Sequence, residues 1–106
     1  MSDIDPAKVS AFMQKRLNTK AAAGLDLTFQ FHITDAGNYY LTVKDGTCEL
    51  LSGDAPNAAV TLTMDKETLK GVLVGQISGM KAFMSGRIQA QGKIMLAMKL
   101  GDLFPS

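Results

Sequence analysis

From Leu25 onward the chain alternates with a period of two: Leu25, Leu27, Phe29, Phe31 and Ile33 are interleaved with Asp26, Thr28, Gln30, His32 and Thr34. That pattern predicts a strand with one face buried and the other in water. Three more segments repeat it. The turn Asp35-Ala36-Gly37 leads into NYYLTVK, and Asp45-Gly46, a tight hairpin signal, leads into TCELLS, where Cys48 and Leu50 alternate with Thr47 and Glu49. The loop GDAPN then opens AVTLTM, with Val60, Leu62 and Met64 on one side and Thr61 and Thr63 on the other. A fifth strand is predicted over RIQAQG, with Ile88 and Ala90 inward. Such regular alternation predicts an antiparallel sheet covered on one face.

The remaining segments have a helical period. Asp5 followed by Pro6 reads as an N-cap with proline at the first helical position, and Val9, Phe12, Met13 and Leu17 then fall on one face. The opposite face carries Lys8, Lys15, Arg16 and Lys20, read as a solvated surface in preference to a contact with lipid headgroups. Asp65 is an N-cap for KETLKGVLVG, whose Leu69, Val72, Leu73 and Ile77 keep helical spacing across Gly71 and Gly75. Those glycines weaken a helix by up to about 1 kcal/mol each, and serve either close packing or flexibility. A short helical turn bears Met80, Phe83 and Met84 before Ser85-Gly86. The order of elements gives one α+β domain spanning residues 1–106.

The segment Lys93 to Phe104 changes the picture. On a helical wheel its apolar residues, the run Ile94 to Met98 with Leu100, Leu103 and Phe104, occupy most of the circumference. A helix apolar nearly all round is expected to be buried nearly all round. A helix laid on a single sheet still turns one face away from it, so a second layer of helices, a partner protein or a hydrophobic ligand must meet that face. Met80, Met84, Met95 and Met98 fall within nineteen positions, and flexible thioethers suit surfaces that accept ligands of variable shape.

The stretch KAFMSGRIQAQGKIMLAMKL resembles the end of the sterol carrier protein 2 domain, and AVTLTMDKETLKGVLVGQISGMKAFMSG is similar to the segment of that family before it. The resemblance runs from about Ile4 to Phe104, specific in the last forty residues and generic before Asp54. It implies a five-stranded, mainly antiparallel sheet covered on one face by helices, with an apolar tunnel between the layers. The tunnel would bind fatty acids, fatty acyl-CoA, sterols or phospholipids and carry them between membranes, in transient contact with them, or to enzymes. On matching segments the resemblance places Leu73, Ile77, Met80, Phe83, Met84, Met95 and Met98 along it. Phe12, Phe29 and Phe31 are added from the amphipathic pattern alone. Peroxisomal members end in a Ser-Lys-Leu-like tripeptide, whereas this chain ends Phe104-Pro105-Ser106, so a cytoplasmic protein is expected. The start at MSDIDPAK and the end just after the last helix read as a complete, free-standing chain.

Composition narrows the chemistry. A net charge of +1 supplies no field to attract nucleic acid, and no apolar run reaches the roughly 20 residues of a membrane span. One cysteine rules out an internal disulfide. His32 and Cys48 fall on opposite faces of predicted strands, which disfavours a Cys–His nucleophile, and they are too few for a zinc site. Asp35, Asp45, Asp54 and Asp65 are explained by turns and caps, and Gly71, Gly75 and Gly79 do not form a phosphate-binding loop. The sequence therefore predicts neither catalytic residues nor a metal or cofactor. It predicts a lipid carrier, with a non-transporting module that binds a protein partner or presents a lipid-like substrate to an enzyme complex as the alternative.

Overall fold

The computed structural model describes residues 5–104. Ile4, where the resemblance begins, and Pro105 and Ser106, on which the expected location rests, lie outside them. The strands are β1 (Asp26–Ile33), β2 (Gly37–Lys44), β3 (Thr47–Ser52), β4 (Val60–Met64) and β5 (Gln89–Gly92). The helices are α1 (Pro6–Arg16), α2 (Thr19–Ala22), α3 (Lys66–Leu73), α4 (Gly79–Met84), α5 (Ile94–Ala97) and α6 (Lys99–Leu103).

The strands form one sheet in the order β3-β2-β1-β4-β5. Register lines up the alternating apolar positions: Phe29 is opposite Leu41 and Val60, and Phe31 is opposite Tyr39 and Leu62. Phe29, Phe31, Leu41, Leu50, Val60 and Leu62 are all at most 2% exposed. Asp45 (φ 49°) and Gly46 (φ 81°) make the β2–β3 turn with both residues left-handed, which matches the twist of a two-residue hairpin.

One pairing departs from expectation. β4 runs parallel to β1, because residues 53–59 cross from the β3 edge instead of closing a hairpin. Alternation records which face is buried and carries no information on strand direction. Gln30 fixes this crossing on the far face of the sheet: its amide donates to the carbonyls of Tyr39 (3.0 Å) and Gly53 (3.2 Å), and its oxygen accepts from the Ala55 N–H at 2.7 Å.

The first helix is turned from its expected orientation. Asp5 caps it, accepting from the N–H groups of Ala7 and Lys8, but the side facing the sheet carries Ser10, Met13, Gln14 and Leu17. Ser10 accepts from the Leu50 N–H at 2.8 Å and donates to the Leu50 carbonyl at 3.2 Å. One turn on, Gln14 accepts from the Cys48 N–H at 2.9 Å and donates to the Gly46 carbonyl at 3.1 Å. Unpaired backbone groups on edge strand β3 thus bring two polar residues inward, and Phe12 is left 43% exposed.

The C-terminal segment is also corrected. Instead of one helix buried all round it forms α5 and α6, joined at Met98, with Gly101 inside the second. Leu100, Leu103 and Phe104 are buried, whereas Ile94 (48%), Met95 (83%) and Met98 (48%) are exposed. The short helix α2 carried no apolar signal; Asn18 caps it and donates its N–H to the Leu103 carbonyl at 2.8 Å, tying it to α6.

Candidate functional site

Three segments converge over the β4 end of the apolar face. α4 begins at Ser78, whose hydroxyl accepts from the Lys81 N–H at 3.3 Å, and it turns Met80 and Phe83 toward the sheet. Ser85 and Gly86 end it, and the N–H groups of Arg87 and Ile88 bond back to the Ala82 carbonyl at 2.9 and 3.2 Å, which folds Ile88 inward. The strand expected over residues 87–92 therefore begins only at Gln89. Gly92 (φ 96°) passes so close to β4 that a side-chain Cβ there would stand 3.1 Å from the Ala59 carbonyl oxygen. α5 and α6 then return over β4 and meet α4.

Between these elements lies an apolar cleft lined by Leu62, Met80, Phe83, Ile88, Ala97, Met98 and Leu100, with Gly79 and Gly101 where α4 approaches α6. Its cavity volume is about 20 Å³, room for one water and not for an acyl chain. The space between the layers is thus a closed cleft in place of an open tunnel, with Met80 and Met98 half-exposed at its lips.

Of the sequence-predicted residues, Met80, Phe83 and Met98 come together here. Phe29 and Phe31 are fully buried on the sheet. Phe12 and Leu73 meet elsewhere, in an open groove between α1 and α3 that also includes Val9, Val74, Lys8 and Lys70. Ile77 packs on Gly71 and borders a shallow, mostly charged depression. Met84 (78%) and Met95 (83%) project outward. Leu62, Ile88 and Leu100 line the cleft without having been singled out, although the apolar pattern marks each as buried. Gly79 and Gly101 left no such signal, since their contribution is the absence of a side chain.

The polar groups are dispersed. His32 is exposed on the wet face of β1, while Cys48 is 8% exposed on the core face of β3, with β2 between them. Burial pushes the Cys48 thiol up to about 11, away from the ionised form a nucleophile requires. Among the described residues no three His, Cys, Asp or Glu side chains cluster to hold a metal ion, and no helix is long and apolar enough to cross a membrane.

The sequence profile of the SCP-2 sterol transfer family matches residues 10–105. The peroxisomal multifunctional enzyme type 2 of Mus musculus is 33% identical over 91 residues, an alignment that covers 81% of this chain and 12% of that enzyme. Solved structures share the fold. The stereoselective inverting sec-alkylsulfatase Pisa1 from Pseudomonas sp. superposes with a TM-score of 0.74 at 24% identity, over 97% of this chain and 17% of the sulfatase. Palmitated SCP2L2 from Aedes aegypti superposes with a TM-score of 0.62 at 20% identity, over 90% of this chain and 93% of that one.

Proposed function

Because this chain belongs to the SCP-2 sterol transfer family, we propose that it is a carrier that holds the hydrocarbon part of a long-chain lipid between α4, α5, α6 and the apolar face of the sheet. The observation that carries this reading is the apolar cleft under α4 and α5, with methionines at its lips. Its lining offers dispersion contacts and no directed hydrogen bonds, so fatty acids, acyl-CoA, sterols and phospholipids are discriminated by volume and shape. A cleft for such a chain needs at least roughly 300 Å³. Loading therefore separates α4 from α5 and α6. These are the elements suited to move, being four to six residues long, too short to be stable as helices on their own.

The palmitate on the Aedes aegypti relative makes palmitate the first probe. Delipidated protein is melted with and without palmitate kept below its micelle concentration. At a hundredfold excess over the dissociation constant, linkage gives about 2.7 kcal/mol of stabilisation, a rise of several degrees. No shift with palmitate, palmitoyl-CoA or a sterol, and no lipid retained on purification, would overturn the carrier reading.

A second reading has one observation in its favour. The chain spans 12% of the mouse enzyme and 17% of the alkylsulfatase, so the same unit occurs as part of larger catalytic proteins. On this reading it presents a lipid-like substrate to an enzyme instead of exchanging it with membranes. Co-purification with an enzyme, without transfer of lipid between vesicles, would favour it.

A further inference from the structure

The methionines among the described residues differ in what surrounds them. Met13 and Met64 are buried in the core. Met84 (78% exposed) and Met95 (83%) project outward and stand outside the cleft lining. Met80 (49%) and Met98 (48%) do both: each is half in solvent and half on the lining of the apolar cleft, one from α4 and the other where α5 meets α6. A thioether so placed is within reach of a small oxidant and in contact with whatever the cleft holds.

Oxidation of methionine to the sulfoxide turns a flexible apolar side chain into a polar one that accepts hydrogen bonds. The rest of the lining is Leu62, Phe83, Ile88, Ala97 and Leu100 with Gly79 and Gly101, so no side chain there can donate to that oxygen. In the empty cleft a sulfoxide at either lip can turn toward water. Once the lips close over an acyl chain it cannot, and a buried acceptor without a partner is costly. The competing sulfur is withdrawn: Cys48, the one cysteine of the chain, is buried on β3 at the opposite side of the sheet, and burial pushes its thiol up to about 11, which leaves it slow to react.

We propose that Met80 and Met98 are a site of reversible modification by hydrogen peroxide, and that the sulfoxide at either lip shuts the cleft to long-chain lipid until it is reduced. The inference rests on the carrier reading, since the loss that it predicts is a loss of lipid binding. In the forward step one oxygen of the peroxide passes to the thioether sulfur. The O–O bond breaks as the S–O bond forms, sulfur gives up two electrons, and the other oxygen leaves with both hydrogens as water. Methionine sulfoxide reductases reverse the change, one enzyme for each sulfoxide epimer, and the exposed half of each lip gives them access. Met84 and Met95 undergo the same chemistry without consequence for the cleft, which makes them an internal control.

The test treats lipid-free wild type with limiting hydrogen peroxide, passes it over immobilised palmitate and maps the sulfoxides in the retained and unretained fractions by mass spectrometry. Cleavage after Lys81 puts Met80 and Met84 on separate tryptic peptides, while Met95 and Met98 share one and are told apart by fragment ions. Sulfoxide at Met84 and Met95 is expected equally in both fractions, and sulfoxide at Met80 or Met98 only in the unretained one, whose affinity for palmitate falls about tenfold or more. The circular dichroism spectrum and the thiol content should not change, and the two reductases together should restore binding. Met84→Leu/Met95→Leu should lose affinity on treatment as wild type does. Met80→Leu/Met98→Leu, compared with itself before treatment, should lose none. The proposal is overturned if Met80 and Met98 resist the peroxide, if their sulfoxides appear equally in the retained fraction, if the loss follows Met84 and Met95, or if it comes with unfolding or survives the reductases. Untreated protein that binds no palmitate sinks the carrier reading and this inference with it, whereas equal binding before and after treatment sinks this inference alone.

Discussion

The carboxylate of Asp65 accepts from the Thr68 N–H at 2.8 Å and starts α3. The Thr68 side chain and this N–H hold its carboxyl below the usual carboxylate range. A lowered pKa in the folded state means that the stabilisation is present above the unfolded value, near 4, and is lost as the pH falls through the folded one. Asp65→Ala is therefore expected to cost about 1 kcal/mol at pH 7, with the difference from wild type narrowing below about pH 4. Urea unfolding at the two pH values checks this; an equal gap at both would show that the charge is not what matters. Cys48 has the opposite shift. With its thiol at about 11, roughly one molecule in a thousand carries the thiolate at pH 8. Ellman's reagent should react slowly with the native protein and promptly in urea, and prompt native labelling would contradict the buried placement.

Among the elements, α3 shows what the sequence could not decide about its glycines. A Cβ on Gly71 would run into the Ile77 side chain, so close packing is its reason, whereas Gly75 (φ 82°) ends the helix in the left-handed conformation that glycine adopts without strain, with the Arg16 guanidinium beside it. The sign of one substitution tests this. Were Gly71 there for flexibility, Gly71→Ala would stabilise by up to about 1 kcal/mol. Overpacking predicts instead a loss of roughly 1–3 kcal/mol, relieved in part by Ile77→Ala in the double variant, and denaturant melts of the four proteins decide between them. Elements governed by a local rule were legible: the alternating strands, the Asp45-Gly46 hairpin and the Asp5 and Asp65 caps. Elements governed by distant partners were not. The face of α1 was set by edge strand β3, which drew Ser10 and Gln14 inward. The direction of β4 was set by a crossover, and the break at Met98 by how α5 and α6 settle over the sheet. The candidate site was half legible for the same reason. Met80, Phe83 and Met98 carry an apolar signal, while Gly79 and Gly101 carry none and act only in the pair.

At the scale of the molecule, the packing is uneven. α3 buries Leu69, Val72 and Leu73 against the core, and α1 is hydrogen-bonded along β3. α4 buries only Ala82, and α5 buries no residue fully. Elements with few buried contacts open at lower free energy than the rest of a domain, which makes the α4–α6 seam the place where the cleft can widen. The seam can be locked. A Cβ on Gly79 would stand 4.0 Å from the Gly101 Cα, and neither glycine has a positive φ; on Gly79 the only contacts within 4 Å are ordinary ones, and on Gly101 there are none. Both positions accept cysteine on these grounds, with the two backbones in near contact. Gly79→Cys/Gly101→Cys should then form a disulfide, with Cys48 kept apart by its burial. The oxidised protein should melt higher, by an amount corresponding to about 3 kcal/mol for a loop of this length, which shows that it is folded. It should no longer take up palmitate, and reduction should restore uptake to the level of wild type, separating the lock from the two substitutions. Normal uptake by the oxidised, folded protein would mean that the chain reaches the core by another route, the groove between α1 and α3 being the next to lock.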